Sequence, residues 1–241
     1  MHLKRIGFLS DQYPTRKHYP FNQPVFHETK EVLFRVPVTF FAGENGTGKS
    51  TLLEAIAHRC GIHIWRDAEK ARFDVNPYEK MFYRYISADW TDGTVPGSFF
   101  SSELFQYFTQ YLDEWAATDP EMLKYFGGKS LMTQSHGQSL MSFFRFRYKI
   151  KGLYLLDEPE TALSPKSQLE LLQVFNEMSG AGHAQFIVAT HSPILLACHG
   201  ADIYSFDHNP LRKISCEETE HYQVYRAFFE DRERTIQSKE G

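Results

Sequence analysis

An excess of charge of one sign is missing from this chain. Its 26 Lys and Arg stand against 30 Asp and Glu, a net charge of −4 over 241 residues, so there is no domain-wide basic footprint for nucleic acid. Only a local patch could serve DNA or RNA. Cysteine is scarce as well. Cys60, Cys198 and Cys216 are widely spaced, odd in number and fit neither a disulfide framework nor a metal-ligand pattern, and they read as reduced thiols of a cytoplasmic protein. Long apolar runs are absent. The start, MHLKRIGFLSD, lacks the apolar core of a signal peptide, and no stretch approaches the ~18 apolar residues that span a bilayer. The expectation is therefore no direct membrane insertion. Sustained heptads are also lacking, which excludes a long coiled-coil arm.

What is present suits a folded α/β chain: 42% hydrophobic and 15% aromatic residues supply a core. The run Val36–Ala42 (VPVTFFA) reads as a buried strand that stops at Gly43. Ser50–Cys60 then carries Leu52, Leu53, Ile56 and Ala57 at helical spacing, with Gly61 as a stop. Gly152–Leu156 is a second apolar strand, Pro165–Met178 an amphipathic helix, and Gln185–Ala189 a third strand. Strands alternating with helices predict a mostly parallel central sheet with flanking helices. Length fits a single domain over 1–241, with an aromatic-rich helical insertion at about 66–128. Within it, Glu103–Trp115 has helical spacing. The charged C-terminal stretch predicts a helix followed by a tail.

Gly43-Glu44-Asn45-Gly46-Thr47-Gly48-Lys49-Ser50 fits the pattern G-x-x-x-x-G-K-[ST]. Glycines let backbone N–H groups turn inward around phosphate oxygens, where a Cβ would intrude. The helix that follows adds its positive N-terminal end. Lys49 suits the β- and γ-phosphates, Ser50 a Mg²⁺ ion, and Thr51 the α-phosphate. These residues make ATP and Mg²⁺ the expected ligands.

The strand Leu153–Leu156 delivers Asp157 and Glu158 at its C-terminal end, the edge of a parallel sheet where ligands bind. An Asp there is suited to Mg²⁺ and an adjacent Glu to polarising the attacking water. Two carboxylates beside a triphosphate repel it unless a metal intervenes.

Three further motifs complete an ordered set. Ser135-His136-Gly137-Gln138-Ser139 precedes Asp157 by 22 residues, counted from Ser135, and Thr161-Ala162-Leu163-Ser164 and Thr190-His191-Ser192-Pro193 follow it. In this order the chain resembles the ATP-binding-cassette superfamily. That resemblance implies a P-loop ATPase working as a head-to-tail homodimer around two Mg·ATP. Ser135, Gly137 and Gln138 would then form a signature that faces the γ-phosphate held by the other subunit. His191 would be the switch histidine at the γ-phosphate, and Lys49, Glu158 and His191 the catalytic set. His136 replaces the first glycine of the transporter signature. More narrowly, the chain resembles short stand-alone bacterial predicted ATPases of the recombination and chromosome-maintenance (SMC-like) branch. Tyr19-Pro20-Phe21, Pro37-Val38-Thr39-Phe40, Ala189 to Leu196 and Thr219-Glu220-His221-Tyr222 carry that likeness.

Two of the family's elements stay open at this level. Glu103 or Gln106 would stand for the glutamine between phosphate loop and signature, and Tyr19 or Phe21 for the aromatic that stacks on adenine. Arg145, Arg147, Lys149 and Lys151 read as a solvated charged face. The expected role is the ATPase engine of a cytoplasmic repair, maintenance or defence complex with a protein partner. A slow-turnover ATP-gated regulatory module and the ATP-binding subunit of a membrane transporter are the alternatives.

Overall fold

The computed structural model describes residues 1–65, 76–78, 80–102, 105, 112, 114–119, 121 and 136–232. In chain order the elements are β1 (Leu3–Phe8), α1 (Pro24–Glu28), β2 (Glu31–Leu33), β3 (Val38–Ala42), α2 (Lys49–Arg59), β4 (Ile86–Trp90) and β5 (Gly97–Ser101). They continue as α3 (His136–Arg147), β6 (Gly152–Asp157), α4 (Pro165–Gly180), β7 (Ala184–Ala189), α5 (Pro193–Leu196), β8 (Asp202–Ser205), β9 (Arg212–Ile214) and α6 (Glu220–Glu230).

A six-stranded sheet, ordered β5-β6-β7-β3-β8-β9, forms the centre. All its pairings are parallel except β8 with β9. Period-two alternation divides the sheet's side chains between two cores. Phe40, Ala42, Tyr154, Leu156, Phe186 and Val188 pack in a core with Leu140 and Phe144 of α3 and Leu171 and Phe175 of α4. Phe41, Leu153, Leu155, Ile187 and Ala189 pack in the other with Leu52, Leu53 and Ile56 of α2. Each fully buried Phe, Leu or Ile is worth about 1.5–3 kcal/mol relative to exposure, so the faces of β3, β6 and β7 anchor the domain.

The second core also contains Leu3, Ile6, Val32 and Ile86, from an antiparallel sheet ordered β2-β1-β4. Its bond to the central sheet is polar and specific. Buried Gln185 accepts from the His2 and Leu3 amides at 2.8 Å and donates to the Leu3 carbonyl at 2.9 Å. A buried amide with three bonds met is costly to truncate, by about 1–3 kcal/mol for the groups left unpaired. Strands β4 and β5 both fall within 66–128 and join different sheets, so the described part of that stretch is woven into the two sheets.

Helix α4 starts where the sequence suggests, at Pro165, and Ser164 caps it by accepting from the Ser167 amide at 3.2 Å. Arg145 of α3 pairs with Glu170 of α4 at 3.0 Å, while Arg147 donates to the Gly97 carbonyl at 3.2 Å. Among the described residues no helix is long and apolar enough to cross a membrane.

Candidate functional site

Register brings the site together. Ala189 pairs with Phe41 on one side and with Asp157 on the other, so β3, β6 and β7 end in one row. Two residues beyond Phe41 the phosphate loop begins, Glu158 follows Asp157, and His191 lies two residues beyond Ala189. This is the C-terminal edge of a parallel sheet, where loops converge on a ligand.

The loop itself is shaped by left-handed glycines. Gly43, Gly46 and Gly48 have φ of 147°, 79° and 103°, values that residues with a Cβ rarely adopt. Crowding adds to this at two of them. A Cβ on Gly43 would lie 2.9 Å from Asp207 Oδ1, and one on Gly48 2.7 Å from the ring of Phe26, while at Gly46 nothing lies within 4 Å. Lys49, almost fully buried, donates through Nζ to the carbonyls of Gly43 at 2.7 Å and Glu44 at 2.9 Å. Burial lowers its pKa, opposed by Glu158, Asp207, Asp157 and Glu44. The ammonium thus spans the mouth of the loop. Glu44 and Asn45 are exposed, and Thr47 Oγ1 donates to the Glu44 carbonyl at 2.8 Å. Thr51 Oγ1 is hydrogen-bonded to the Tyr19 hydroxyl.

Ser50 Oγ donates to Asp157 Oδ1 at 2.9 Å. Burial pushes the Asp157 carboxyl up to about 7, with Glu158 and Glu54 adding to the effect and the Ser50 hydroxyl opposing it. One hydroxyl and one carboxylate are a hard-oxygen pair suited to Mg²⁺, which takes few protein ligands and completes its shell with water and phosphate. No cluster of three or more His, Cys, Asp or Glu able to hold a metal occurs among the described residues.

Glu158 adopts a left-handed backbone, φ 44° and ψ 55°, the only positive φ outside glycine among the described residues. Such a residue costs about 1–3 kcal/mol and is tolerated where its surroundings over-determine it. The Glu158 amide donates to the Ala189 carbonyl at 2.9 Å, and its carbonyl accepts from Thr161 Oγ1 at 2.8 Å. The turn aims the side chain at His191, whose Nε2 lies 3.4 Å from Glu158 Oε1. His191 holds the Glu158 carboxyl below its ordinary range, so it is ionised at neutral pH.

Glu160 accepts from the His191 amide at 2.6 Å and fixes the loop after β7. Burial raises its pKa against that hydrogen bond. Ser192 caps α5 by accepting from the Leu195 amide at 3.2 Å and donates to Gln168 Oε1 at 2.5 Å. The backbone around His191 is thereby held from both sides.

Not every expected residue joins this group. Phe21 is fully buried among Tyr13, Phe82 and Tyr85, so its ring serves the core and presents no exposed face. Tyr19, partly exposed and tied to Thr51, is the aromatic on the loop side. Strand β5 ends at Ser101, directly before the segment expected to supply a sensing glutamine. Glu103 and Gln106 themselves lie outside the described residues, as does Ser135. Helix α3 begins at His136, so Gly137 and Gln138 occupy its first turn.

Two site residues have no local signal in the sequence. Asp207, beyond β8, accepts from the Glu44 amide at 2.8 Å and clasps the loop from outside. His221, in the first turn of α6, meets His191 with Nε2 to Nδ1 at 2.8 Å. The only hint of the second is the Thr219-Glu220-His221-Tyr222 likeness.

Parallel sheet order, phosphate loop and acidic strand end together define an α/β fold of the P-loop type, with the site at the C-terminal edge of its sheet. Residues 22–60, which hold the phosphate loop, match a family model described as "AAA domain". Residues 140–197, which hold Asp157, Glu158 and His191, match one described as "AAA domain, putative AbiEii toxin, Type IV TA system". Similar solved structures include the SMC head domain from Thermotoga maritima, 16% identical with a TM-score of 0.47, covering 89% of this chain and 99% of that one. Another is cbiO1 from Clostridium perfringens, part of an ABC transporter complex, 18% identical with a TM-score of 0.44, covering 85% and 89%. A third is an ATP-binding subunit of an ABC transporter, 18% identical with a TM-score of 0.45, covering 94% and 93%. Among curated proteins, no sequence matches this chain.

Proposed function

We propose that this chain binds Mg·ATP on Gly43–Thr51 and hydrolyses it, closing head to tail on a second copy in the ATP state and opening after hydrolysis. The observation that carries the reading is the Ser50–Asp157 hydrogen bond beside the lysine-spanned loop. A hydroxyl and a carboxylate suited to Mg²⁺ thus lie beside the glycine loop, and this supports the reading, with Glu158 and His191 beyond them.

On this reading Lys49 exchanges the Gly43 and Glu44 carbonyls for phosphate oxygens, and the loop amides turn toward the same oxygens. Mg²⁺ held by Ser50 and, through water, Asp157 would neutralise charge developing on the transferred phosphoryl group. Glu158, ionised and held rigidly by its left-handed turn, orients and polarises the attacking water. His191 offers a ring N–H to the γ-phosphate. Ser135 and the Gly137 amide of a second copy supply donors from the opposite side, where α3 begins. ATP then bridges the two copies, and its cleavage removes the bridge. The partner is a protein of a repair, maintenance or defence complex, and nucleic acid is reached, if at all, through it.

Light scattering of the Glu158→Gln variant tests this. With Mg·ATP it should run at twice the monomer mass, because the bridge forms and is not cleaved. A strictly monomeric variant at high protein concentration would falsify the two-copy reading. A second reading, a slow ATP-gated module, draws on the toxin-related description of the model matched at 140–197. Wild-type phosphate release on the order of a few turnovers per hour, far below ordinary enzyme rates, would select it.

A further inference from the structure

His191 alone does not decide which of its ring nitrogens carries a proton, and its function depends on the answer. Its Nε2 faces the Glu158 carboxylate at 3.4 Å. Its Nδ1 faces the His221 ring, Nδ1 to Nε2 at 2.8 Å, with centroids 4.8 Å apart and planes at 68°. Two neutral imidazoles sharing one hydrogen bond need one donor and one acceptor. If His191 donated through Nδ1, its Nε2 lone pair would point at a carboxylate, and two acceptors would face each other. If His221 donates, His191 Nε2 keeps its proton and faces Glu158 as a donor. Of these two neutral arrangements, only the second turns a ring proton toward the carboxylate, which lies at ion-pair distance from an Nε2 that has no closer hydrogen-bond partner among the described residues.

Resting on the ATPase reading above, we propose that His221 is a positioning residue for hydrolysis. Its Nε2–H donates to His191 Nδ1 and locks His191 as the Nε2–H tautomer, with the ring proton aimed at the reacting side of the site. The role parallels that of the outer-shell groups that orient catalytic and metal-bound histidines.

The placement of His221 supports this. Thr219 is buried and caps α6, its hydroxyl accepting from the Tyr222 amide at 3.3 Å, which sets His221 in the first helical turn. No residue of α6 itself is buried, and Val224, Tyr225 and Phe229 are exposed. The side chain of His221 is nevertheless only 13% exposed, so it is the part of the helix that enters the site. The Glu44 carboxylate of the phosphate loop lies 3.9 Å from its Nε2, while its buried Nδ1 has no partner among the described residues. An Nε2–H tautomer leaves that orphan nitrogen as a bare lone pair and not as an unpaired N–H. Burial and the neighbouring His191 also hold His221 below the usual imidazole range, which keeps it a neutral donor.

Long-range ¹H–¹⁵N spectra of the full chain, with His191 assigned by substitution, read the tautomer directly. Wild type should show the Nε2–H form of His191, and His221→Leu a mixture. The same variant should lose about 10- to 100-fold in kcat with KM for ATP within about threefold, the scale of losing an outer-shell group that orients a histidine. His221→Gln, whose amide N–H still reaches Nδ1, should recover most of kcat. An Nδ1–H tautomer in wild-type His191 overturns the proposal. So does an unchanged kcat in His221→Leu, or a loss confined to KM. If wild type fails to hydrolyse ATP, the ATPase reading fails, while the spectra still decide the histidine pair.

Discussion

Ser50 Oγ donates to Asp157 Oδ1 across 2.9 Å and so joins residues 107 positions apart. The bond ties the first turn of α2 to the end of β6, and there the cost of burying the carboxyl is only partly offset by that hydroxyl and by the charge of Lys49.

That carboxyl gives a pH prediction. Burial raises the Asp157 pKa from 3.8 to about 7, so the unfolded chain releases this proton first. Stability is therefore full below the unfolded pKa, declines as pH rises above about 4, and is lost by the time pH passes about 7. Three pKa units correspond to about 4 kcal/mol. In EDTA, Asp157→Asn should be more stable than wild type at pH ~8, by on the order of 4 kcal/mol, and by less than half of that at pH ~5. Urea unfolding at both pH values checks it, and an equal gap at the two would rule out burial of the carboxyl as the cause.

The loop glycines should differ in sensitivity. Gly48→Ala combines a φ of 103° with a Cβ 2.7 Å from Phe26, whereas Gly46→Ala meets only a φ of 79° in open space. The second should cost about 1–2 kcal/mol, and the first about 1 kcal/mol more at the least, because fully buried Phe26 must shift as well. Thermal denaturation ranks the two. Equal losses would mean that Phe26 gives way freely.

Asp207 should matter more to nucleotide than to folding. It holds the Glu44 amide at 2.8 Å at an exposed position, a charged-acceptor bond worth about 1.5–3 kcal/mol at most. Asp207→Ala should weaken binding of a fluorescent ATP analogue about three- to tenfold and shift the melting temperature by only a few degrees. Asp207→Asn should restore binding, because the amide oxygen still accepts. Wild-type affinity in Asp207→Ala would exclude the clasp.

Parts of the fold are legible in the sequence because they are local. Val36–Ala42 reads as a strand and β3 spans Val38–Ala42, while Pro165–Met178 reads as a helix and α4 spans Pro165–Gly180. In each, apolar spacing and a glycine or proline boundary operate within about a dozen residues. Strand β1 carries no such mark because Lys4 and Arg5 interrupt its apolar residues. Strand β4 buries only Ile86, so neither its pattern nor its composition reveals it. Both exist because they pair with each other and because Gln185, far along the chain, receives the end of β1.

The phosphate loop and the Asp157–Glu158 pair were determined by the sequence alone. Their patterns are local: glycines that accept positive φ, a lysine opening a helix, and an apolar strand that ends in acids, although the left-handed turn at Glu158 is also held by Ala189. Only the tertiary structure decided what surrounds them. Asp207 reaches the loop from beyond β8, Glu160 pins His191, Phe21 is taken into the core, and His221 arrives from α6 to meet His191. Each of these contacts is long-range, set by strand order and helix docking, and no spacing along the chain encodes such a distance.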